Sequence, residues 1–380
     1  MSKSYSVHHI TSFIVEKQVS GHSYSVPALC EALSNDIETH LHTTKPHNLL
    51  NNPSFKLHEY EINKIFKFAL SSRAFKKGMK DKVKDGDIIH NHMLWRMPNI
   101  YPLNIQKFKK INHILSPRGT MSKDALDTNK NKKSIFNLIS NQNNMLSSCD
   151  AFHATSIKEK DEIRELGFKQ PIAIIPNGIK IPSFTKKIYS NNKFLYLGRI
   201  HPIKGLELLI NTWKKIDDNK TILDICGYYE DKKYYNSLKN LVKKLGISNI
   251  IFSDTVIGES KKNKFLENDI FILPSKTENF GLVVAEALSY GLPVIVSENT
   301  PWKAVKDRKC GWTINLNERN IISIINFTKT LSTKTLKNMG NNGRIFVKNK
   351  YSWDKLYTKY IDFYSWLNGG GETPEFVDLF

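Results

Sequence analysis

The amino-acid sequence predicts an α/β protein with two domains built on parallel strands. The clearest sign is the stretch 269–297, DIFILPSKTENFGLVVAEALSYGLPVIVS, in which two short apolar runs flank a segment with helical spacing. A strand–helix–strand order of this kind is the unit from which parallel sheets are built. At 380 residues the chain is too long for one ordinary core and fits two domains of roughly 150 to 190 residues each.

Short apolar runs predict the strands of the first half. They lie at residues 5–15, 87–92, 114–116, 151–156 and 171–176. Residues 24–33 have apolar side chains at helical spacing, which predicts a helix after the first strand. The polar stretch 183–192 is predicted to be a linker to the second domain.

The second half repeats this pattern. Strands are predicted at residues 194–200, 223–227, 250–252, 269–273 and 291–297. The helix at 282–290 should end at Gly291, since glycine commonly follows the last helical residue. Apolar residues between Trp353 and Trp366 predict a C-terminal helix, which the three glycines at 369–371 should end. The closing segment 372–380 is predicted to lie on the surface because it is polar.

The loop before helix 282–290 is the first candidate site. The first backbone N–H groups of a helix have no partner inside it, and the helix dipole adds partial positive charge there. The amides of residues 279–282 are therefore a suitable seat for a diphosphate, and Gly281 permits close approach. Glu278 and Glu286 flank this seat and could accept hydrogen bonds from sugar hydroxyls, which favours a sugar nucleotide. The alternative is an ordinary surface glutamate and an ordinary helix glutamate.

Two motifs resemble a known family. ENFGLVVAEALSYGLPVI contains two glutamates separated by seven residues, and FLYLGRIHPIKGLELLINTW precedes it with an arginine and a lysine in a strand–loop–helix. Together they resemble glycosyltransferase family 4, retaining enzymes of the GT-B fold. The resemblance implies two Rossmann-like domains facing a central cleft. Residues 1–185 would bind the acceptor, residues 190–345 would bind the nucleotide-sugar, and residues 346–380 would form a helix and tail that pack back on the first domain.

The resemblance also implies roles for charged side chains of the second domain. Arg199 and Lys204 would bind the donor diphosphate and offset the charge that builds on it as it leaves. Glu278 would orient the sugar, and Glu286 would hold the ribose hydroxyls. Transfer would then need no metal ion or other cofactor, with the nucleotide-sugar as co-substrate and with retention at the anomeric carbon.

Other donor contacts are implied for the main chain and for one histidine. His92, at the end of a strand, would meet the donor sugar as a fourth catalytic residue, with a histidine hydrogen-bonded at a strand end as the alternative. Gly21 stands where the family usually has two glycines, with Ser20 in the other place. The remaining donor-binding positions are Val256, in a turn whose main chain would read the base, and Asn279, Phe280, Gly281 and Leu282.

A subset of the family that builds bacterial surface polysaccharides provides a further resemblance. The segments HNHMLW, SPRGTM, CDAFHATSIKE and IRELG carry it, although Ala304 stands where a glutamate is common. It implies a glycan or a lipid-pyrophosphate-linked glycan as acceptor, in O-antigen, capsule or lipopolysaccharide synthesis. Arg118 could contact the acceptor phosphates, because an arginine placed between Pro117 and Gly119 at a strand end suits phosphate binding. A structural salt bridge is the alternative role for Arg118.

A metal site and a redox site are not predicted. His90 and His92 lie two apart on one strand face, but no cysteine, aspartate or third histidine accompanies them in the sequence. The four cysteines are scattered without metal or redox spacing, which indicates reduced thiols in a cytoplasm. The first residues lack the apolar core of a signal peptide, and no apolar run is long enough to span a bilayer.

The net charge of +20 calls for a polyanionic partner. Residues 62–80, INKIFKFALSSRAFKKGMK, are predicted to form a basic amphipathic helix. This helix could lie on anionic lipid at the inner face of the cytoplasmic membrane, or it could be a solvated helix packed on its domain. Nucleic acid is not predicted, since no known binding motif or aromatic stacking platform is present. Two other functions remain open, a sugar-nucleotide epimerase of the same fold and a non-enzymatic basic protein that binds membrane or nucleic acid.

Overall fold

A computed structural model describes residues 5–11, 21–45, 52–63, 69–128, 130–183, 189–190, 192–216, 218 and 220–380. The chain divides into two compact units: unit 1 is Met1–Gly178 with Trp353–Phe380, and unit 2 is Ile179–Ser352. The sequence places the end of the first domain at residue 185, the start of the second at residue 190 and its end at residue 345. The boundaries between the two units lie several residues away, after Gly178 and after Ser352. The predicted limit at residue 345 falls inside a continuous helix, Thr333–Tyr351, which belongs to unit 2.

The described strands are β1 Val7–Ile10, β2 Thr39–Thr44, β3 Lys56–Tyr60, β4 Ile88–His92, β5 Asn112–Ser116, β6 Ala151–Ala154, β7 Ile172–Ile174, β8 Lys193–Leu197, β9 Ile222–Cys226, β10 Ile250–Ser253, β11 Ile270–Leu273, β12 Val294–Ser297, β13 Gly311–Ile314 and β14 Val377–Asp378. The described α-helices are α1 Gly21–Leu33, α2 Arg73–Lys82, α3 Tyr101–Gln106, α4 Lys123–Asp127, α5 Lys130–Ser140, α6 Gln142–Ser147, α7 Ile157–Glu165, α8 Leu206–Trp213, α9 Lys232–Lys244, α10 Gly258–Glu267, α11 Leu282–Ser289, α12 Ala304–Asp307, α13 Glu318–Thr330, α14 Thr333–Tyr351 and α15 Trp353–Leu367.

Unit 1 is built on a sheet whose described strands have the order β14-β7-β6-β5-β4-β1-β2-β3. All described neighbours are parallel except β14, which runs antiparallel to β7. The closing segment 372–380 lies largely on the surface, as predicted, but it also adds an edge strand to the sheet, which the sequence did not indicate. Val377 is buried beside β7, and Arg164 holds the Asp378 carboxylate at 2.7 Å.

The C-terminal helix α15 packs within unit 1, as expected. Its buried residues Leu356, Tyr360 and Phe363 share one apolar cluster with strand residues such as Val7 and Ile88. The helix follows α14 of unit 2 after a single residue, Ser352, so the chain returns to the first unit at this point.

The basic helix expected at residues 62–80 is shorter in the structure. Helix α2 begins only at Arg73, because the Ser72 side chain accepts a hydrogen bond from the Phe75 amide and caps it. Residues 64–68 lie outside the described part of the chain. Phe75 and Met79 are fully buried in unit 1, while Lys76 and its basic neighbours are exposed. For residues 73–82 the structure thus supports the reading of a helix packed on its domain.

Unit 2 has a parallel sheet with the order β10-β9-β8-β11-β12-β13 among its described strands. The predicted strand–helix–strand unit is confirmed as β11, α11 and β12. Gly291 follows the helix with φ of 89°, the Leu292 amide donates to the Ala287 carbonyl, and the Gly291 amide donates to the Leu288 carbonyl. This pair of bonds ends helices at glycine, as the sequence predicts.

Within the described residues, no helix combines the length and the apolar character that a membrane span needs.

Candidate active site

The candidate site of unit 2 lies at the point where the order in which the chain adds strands to the sheet reverses. From β8 the chain adds β9 and β10 on one side, and it then returns to add β11, β12 and β13 on the other. The adjacent strands β8 and β11 run parallel, so the loops after them leave the same edge of the sheet. Ligands of open α/β sheets bind at such a reversal, outside the carboxyl ends of the strands. These two loops carry Arg199, Lys204 and Glu278.

Lys204 and Glu278 form an ion pair between the two loops. The Lys204 ammonium contacts Glu278 Oε1, and the Ser275 hydroxyl donates to the same oxygen over 2.7 Å. The two charged side chains are only 16 % and 11 % exposed, so water screens them weakly. Glu278 Oε2 has no hydrogen-bond partner within the described residues, which leaves it able to accept a bond from a ligand.

Close backbone contacts hold the two loops together. The Lys276 amide donates to the Ile203 carbonyl over 2.8 Å. Gly205, directly after Lys204, has φ of 71°, and a Cβ atom there would lie 2.1 Å from the Pro274 carbonyl oxygen. Only glycine fits that conformation and that spacing. The position of Lys204 relative to Glu278 is therefore fixed by the backbone.

The start of α11 presents the predicted amides. Gly281 precedes the helix with φ of 75°. No acceptor in the described part of the chain binds the amides of Phe280, Gly281 and Leu282. The Phe280 carbonyl accepts a 2.5 Å hydrogen bond from the Trp302 indole N–H. The aromatic ring of Phe280 is buried in the core of unit 2. Phe280 can thus offer its amide to a ligand while its side chain anchors the loop.

Arg199 lies in the same loop as Lys204 but is less constrained. Its side chain is 37 % exposed, and its guanidinium lies 3.9 Å from Glu230, which is a loose contact. The Tyr196 hydroxyl donates to the Arg199 carbonyl over 2.7 Å and thereby fixes its backbone. The side chain therefore has little to break before it can bind an anion.

Two further predicted positions of unit 2 lie on neighbouring elements. Glu286, in α11, accepts a 2.6 Å bond from Lys261 of α10, a partner that the sequence did not predict. Val256 lies in the loop after β10 and is half-buried. The Asp254 carbonyl accepts a bond from the Cys226 thiol over 3.0 Å, which ties this loop to the end of β9.

In unit 1 the structure places Arg118 after β5. Its φ of 53° is in the left-handed region, where a residue with a side chain is strained. Its guanidinium donates to His92 Nδ1 at 3.1 Å, Ser25 Oγ at 2.9 Å and Asn177 Oδ1 at 2.8 Å. It forms no ion pair with a carboxylate of the described residues, so the salt-bridge alternative is not supported. Burial lowers the pKa of Arg118.

His92 lies beneath Arg118 and is fully buried. An arginine can only donate, so His92 Nδ1 must be the acceptor and neutral His92 must carry its proton on Nε2. That proton faces His9 Nδ1 at 3.0 Å. Burial holds the pKa of His92 well below its usual range, and burial with the nearby Arg118 lowers the pKa of His9 to about 3. Both nitrogens of His92 are thus in use, and its predicted contact with the donor sugar stays a prediction.

His9 was missed in the sequence because it lies on another strand. Parallel pairing of β1 with β4 sets His9 opposite His90, and ring nitrogens of His9, His90 and His92 come within 4.8 Å of one another. The inference that no third histidine accompanies His90 and His92 is therefore wrong. A local sequence pattern carries no information about which strand will pair with which.

Glu159 was also missed. It is buried, and its carboxylate accepts bonds from the Gly119 amide at 2.6 Å and from the Thr155 amide at 2.7 Å. Glu159 thereby holds the loop that carries Arg118. The sequence does contain a signal for it, since Ser156 and Glu159 have the spacing of a helix capping box. Gly21, the remaining predicted position, is the exposed first residue of α1, and the loop before it lies outside the described residues.

Two families of glycosyltransferases match this chain. The family described as glycosyl transferases group 1 matches residues 180–346, and the one described as glycosyltransferase family 4 matches residues 19–181. An uncharacterized 41.2 kDa protein in the cps region of Klebsiella pneumoniae is 25 % identical over 295 residues, 73 % of this chain and 78 % of that protein. An uncharacterized glycosyltransferase of Methanocaldococcus jannaschii is 28 % identical over 338 residues, 84 % and 87 % of the two chains.

A third relative has a named reaction. The UDP-Gal:alpha-D-GlcNAc-diphosphoundecaprenol alpha-1,3-galactosyltransferase of Escherichia coli is 32 % identical over 219 residues, 51 % of this chain and 54 % of that enzyme. Among solved structures, sucrose-phosphate synthase of Thermosynechococcus elongatus has a TM-score of 0.79 at 17 % identity, covering 97 % and 100 % of the two chains. HepE of Anabaena, in complex with UDP and glucose, has a TM-score of 0.75 at 12 % identity, covering 95 % and 99 %.

The chain belongs to the group 1 and family 4 glycosyltransferases, whose two matched regions together run from residue 19 to residue 346. It is a glycosyltransferase, and the predicted GT-B fold is confirmed. The matches to transferases speak against the epimerase and against a non-enzymatic basic protein.

Proposed function

We propose that this enzyme transfers a hexose, with retention at the anomeric carbon, from a nucleoside diphosphate sugar to a glycan or lipid-diphosphate-linked acceptor in bacterial surface polysaccharide synthesis. The observation that carries the proposal is the Lys204–Glu278 ion pair beside the open amides at the start of α11. The family membership, the E. coli relative that uses a diphosphoundecaprenol acceptor and the HepE complex with UDP support it. UDP-hexoses are therefore the first donors to test.

The donor diphosphate would bind at the amides of residues 280–282. These donors belong to successive residues at the start of α11 and lie at the positive end of its dipole. Lys204 and the loosely held Arg199 would add two positive charges on the neighbouring loop. Charge builds up on the diphosphate as the bond to the sugar breaks, and donors that are already in place stabilise it without rearranging. These groups supply that stabilisation without a metal ion, and we propose a metal-independent transfer.

Glu278 would change partner when the donor binds. Without donor its carboxylate neutralises Lys204. A diphosphate carries more negative charge and competes for the lysine, which frees Glu278 to accept hydrogen bonds from the sugar hydroxyls. Ser275 stays bonded to the carboxylate and keeps it oriented. Glu286 would hold the ribose through the carboxylate oxygen that Lys261 does not contact.

On the acceptor side, Arg118 would bind a phosphate or another anionic group. All the hydrogen-bond partners of this half-buried guanidinium are neutral, so no negative charge balances its positive charge. A bound anion would balance it. His92 and Glu159 would then act as positioning residues, since one fixes the guanidinium and the other fixes the loop. The strained backbone of Arg118 is typical of a residue held in place for function.

We also propose that the enzyme works as a peripheral protein at the cytoplasmic face of the membrane, where a lipid-linked acceptor is present. The exposed basic residues of α2 support this, because their side chains face solvent while the apolar side of the helix is used inside unit 1. Clusters of this kind bind anionic lipid electrostatically.

UDP binding and sugar transfer by two variants test the donor site. Lys204→Ala should weaken UDP binding by roughly 10- to 100-fold, because a charged contact to the diphosphate is lost. Glu278→Gln should leave UDP binding unchanged or tighter, because Lys204 is released, yet it should reduce transfer roughly 100-fold or more. Lys215→Ala is the matched control, since Lys215 pairs with Glu318 on the exposed surface of the same unit. Unchanged UDP affinity in Lys204→Ala would contradict the proposal.

A second assay separates transfer from epimerisation. The enzyme is incubated with a UDP-hexose with and without a short-chain polyprenyl-diphosphate sugar, and the products are separated by chromatography. A transferase forms glycosylated lipid and UDP only with the acceptor present. Conversion of the nucleotide-sugar to its epimer without acceptor would favour the alternative function.

A further inference from the structure

Four histidines converge on one face of the sheet of unit 1. His8 lies on β1, His40 and His42 on β2, and His58 on β3. The parallel register sets His8 opposite His40 and His42 opposite His58. Alternate residues of a strand share a face, so all four rings lie on the same side. Their ring centroids are 4.3 Å apart for His8 and His40 and 4.6 Å apart for His42 and His58.

Two carboxylates fix which nitrogens are available. Asp87 accepts from His8 Nε2 at 3.2 Å, and Glu38 accepts from His40 Nε2 at 3.0 Å. A carboxylate accepts only, so each Nε2 carries a proton and each Nδ1 has a free electron pair. His8 Nδ1 faces His42 Nε2 at 3.0 Å, and His40 Nδ1 faces His58 Nε2 at 3.0 Å. Two electron pairs thus point toward the other two rings.

We propose that His8, His40, His42 and His58 bind a divalent transition-metal ion of the zinc class. Two nitrogens that share a tetrahedral zinc at the usual bond length lie about 3.3 Å apart, so the observed 3.0 Å pairs need to open only slightly. One ring nitrogen from each of His8, His40 and His42 already lies within 4.8 Å of the other two. His58 is outside that group, although its Nε2 lies 3.0 Å from His40 Nδ1, and its ring would have to move inward to supply the fourth nitrogen. Neutral imidazole suits zinc, nickel and copper better than calcium or magnesium.

The surroundings match those of known metal sites. A metal-bound histidine commonly donates its other N–H to a carboxylate, which orients the ring and raises its basicity. His8 and His40 already do so. His42 Nδ1 lies 3.0 Å from the Tyr60 hydroxyl, which can accept the proton when Nε2 turns to the metal. Asp87 adds negative charge against the ion, whereas the Glu38 carboxylate already pairs with the Lys56 ammonium and serves mainly to orient His40. The half-buried His58 offers the way in.

The second histidine group of unit 1 does not offer the same chemistry. Arg118 donates to His92 Nδ1, so a metal on His92 Nε2 would require the ring to lose its last proton beside a guanidinium. A cation would also be added next to a buried positive charge. The group of His9, His90 and His92 is therefore disfavoured, although its nitrogens are equally close.

The bound ion would join three adjacent strands at the edge of unit 1, and its role would be structural. None of its ligands is among the residues assigned to the donor seat or to Arg118, so the inference does not depend on the proposed function. A metal ion that binds only the folded chain stabilises the folded state by its free energy of binding.

The experiment measures zinc bound by the full chain after dialysis, together with its melting temperature with and without chelator. We expect one ion per chain, a higher melting temperature with zinc, and visible absorption typical of tetrahedral cobalt when Co²⁺ replaces it. His40→Gln and His58→Gln should lose stoichiometric zinc, and Glu38→Gln should weaken binding by roughly tenfold. His90→Gln, in the disfavoured group, should bind zinc as the wild-type protein does.

Folding of each variant is checked by far-UV and near-UV circular dichroism, because the substituted histidines all lie in unit 1. His58 is only half-buried, so His58→Gln is the variant expected to fold normally. The inference is overturned if the wild-type chain binds no stoichiometric zinc, if folded His58→Gln and His40→Gln both retain it, or if His90→Gln alone loses it.

Discussion

At the scale of single residues, the conformation of Gly205 decides where the neighbouring Lys204 lies. Gly205 joins the Lys204 loop to α8 with φ in the left-handed region, and a Cβ atom there would lie 2.1 Å from the Pro274 carbonyl oxygen. A side chain at this position cannot be accommodated unless one of the two loops moves. The Lys204–Glu278 ion pair spans those same loops, so donor binding should be sensitive to this substitution.

Gly205→Ala should destabilise unit 2 by roughly 2 kcal/mol or more and raise the KM for the donor, because it adds both backbone strain and a clash. Gly246→Ala is the matched control, since Gly246 also has positive φ, 62°, but has open space around it. It should cost roughly 1 kcal/mol and leave the KM unchanged. Urea denaturation and donor kinetics measure both effects. Equal KM values in the two variants would contradict the role given to Gly205.

Arg118 is expected to act on the acceptor alone. Arg118→Gln should raise the KM for a lipid-diphosphate acceptor by roughly tenfold or more, because a charged contact is lost, and should leave UDP affinity unchanged. Arg319→Gln, an exposed arginine of unit 2, is the control. Steady-state kinetics with each substrate varied in turn separate the two effects. A loss of UDP affinity in Arg118→Gln would mean that the residue has another role.

At the scale of elements, α2 combines a buried apolar side with an exposed basic side. Changing Arg73, Lys76 and Lys77 together to glutamate should weaken binding to vesicles that contain anionic lipid, because the electrostatic attraction is reversed. Transfer to a short soluble acceptor should be retained, since these side chains are exposed and outside the candidate sites. Sedimentation with vesicles and a transfer assay measure the two properties.

The control for α2 reverses three exposed lysines of α9 in unit 2, Lys232, Lys233 and Lys243, which gives the same change in net charge. This variant should bind vesicles nearly as the wild-type protein does. Equal loss of binding in both variants would show that total charge, rather than α2, controls attachment.

Apolar buried strands could be predicted from the sequence, whereas a buried strand of polar residues could not. Strands β8, β11 and β12 are apolar runs because both faces of a parallel sheet are covered, and their sequence predicts them. Strand β2, THLHTT, is entirely buried, yet its residues read as polar. Its histidines can be buried because His8, His58 and Tyr60 of neighbouring strands bond to them, together with the adjacent Glu38. That information lies in the register of distant strands, so local patterns could not reveal it.

Some features of the candidate sites could likewise be predicted from the sequence, and others could not. The seat at α11 was predictable because Glu278, Gly281 and the helix follow one another in the chain. Its link to Lys204 came from a second motif and could be inferred only as a resemblance. The chain of contacts from Arg118 through His92 to His9 requires β1, β4 and β5 to pair in one register. No local signal specifies that register.

At the scale of the whole molecule, buried neutral histidines should make stability depend on pH. Burial lowers the pKa of His113 and His153 to about 3, whereas unfolded histidine titrates near 6.5. Between these values the unfolded chain binds more protons than the folded chain, so stability rises with pH and is lost as pH falls. The loss should be roughly 1.4 kcal/mol per pH unit for each histidine below pH 6.5.

Denaturant unfolding between pH 7.5 and pH 5 measures this effect. His113→Gln and His153→Gln should each reduce the pH dependence of the unfolding free energy, whatever they do to stability at pH 7.5. His201→Gln is the comparison, since His201 is partly exposed in unit 2 and the pKa of its side chain is lowered less by burial. A pH dependence that all three variants share with the wild-type chain would contradict the assignment.

The proposed donor-binding role of unit 2 depends on a diphosphate seat at the start of α11. The most direct test is a crystal structure of the enzyme with UDP. We expect the diphosphate at the amides of residues 280–282, the Lys204 ammonium turned from Glu278 to a phosphate oxygen, and Arg199 within reach of the second phosphate. A diphosphate bound elsewhere, with the Lys204–Glu278 ion pair intact, would contradict the central claim.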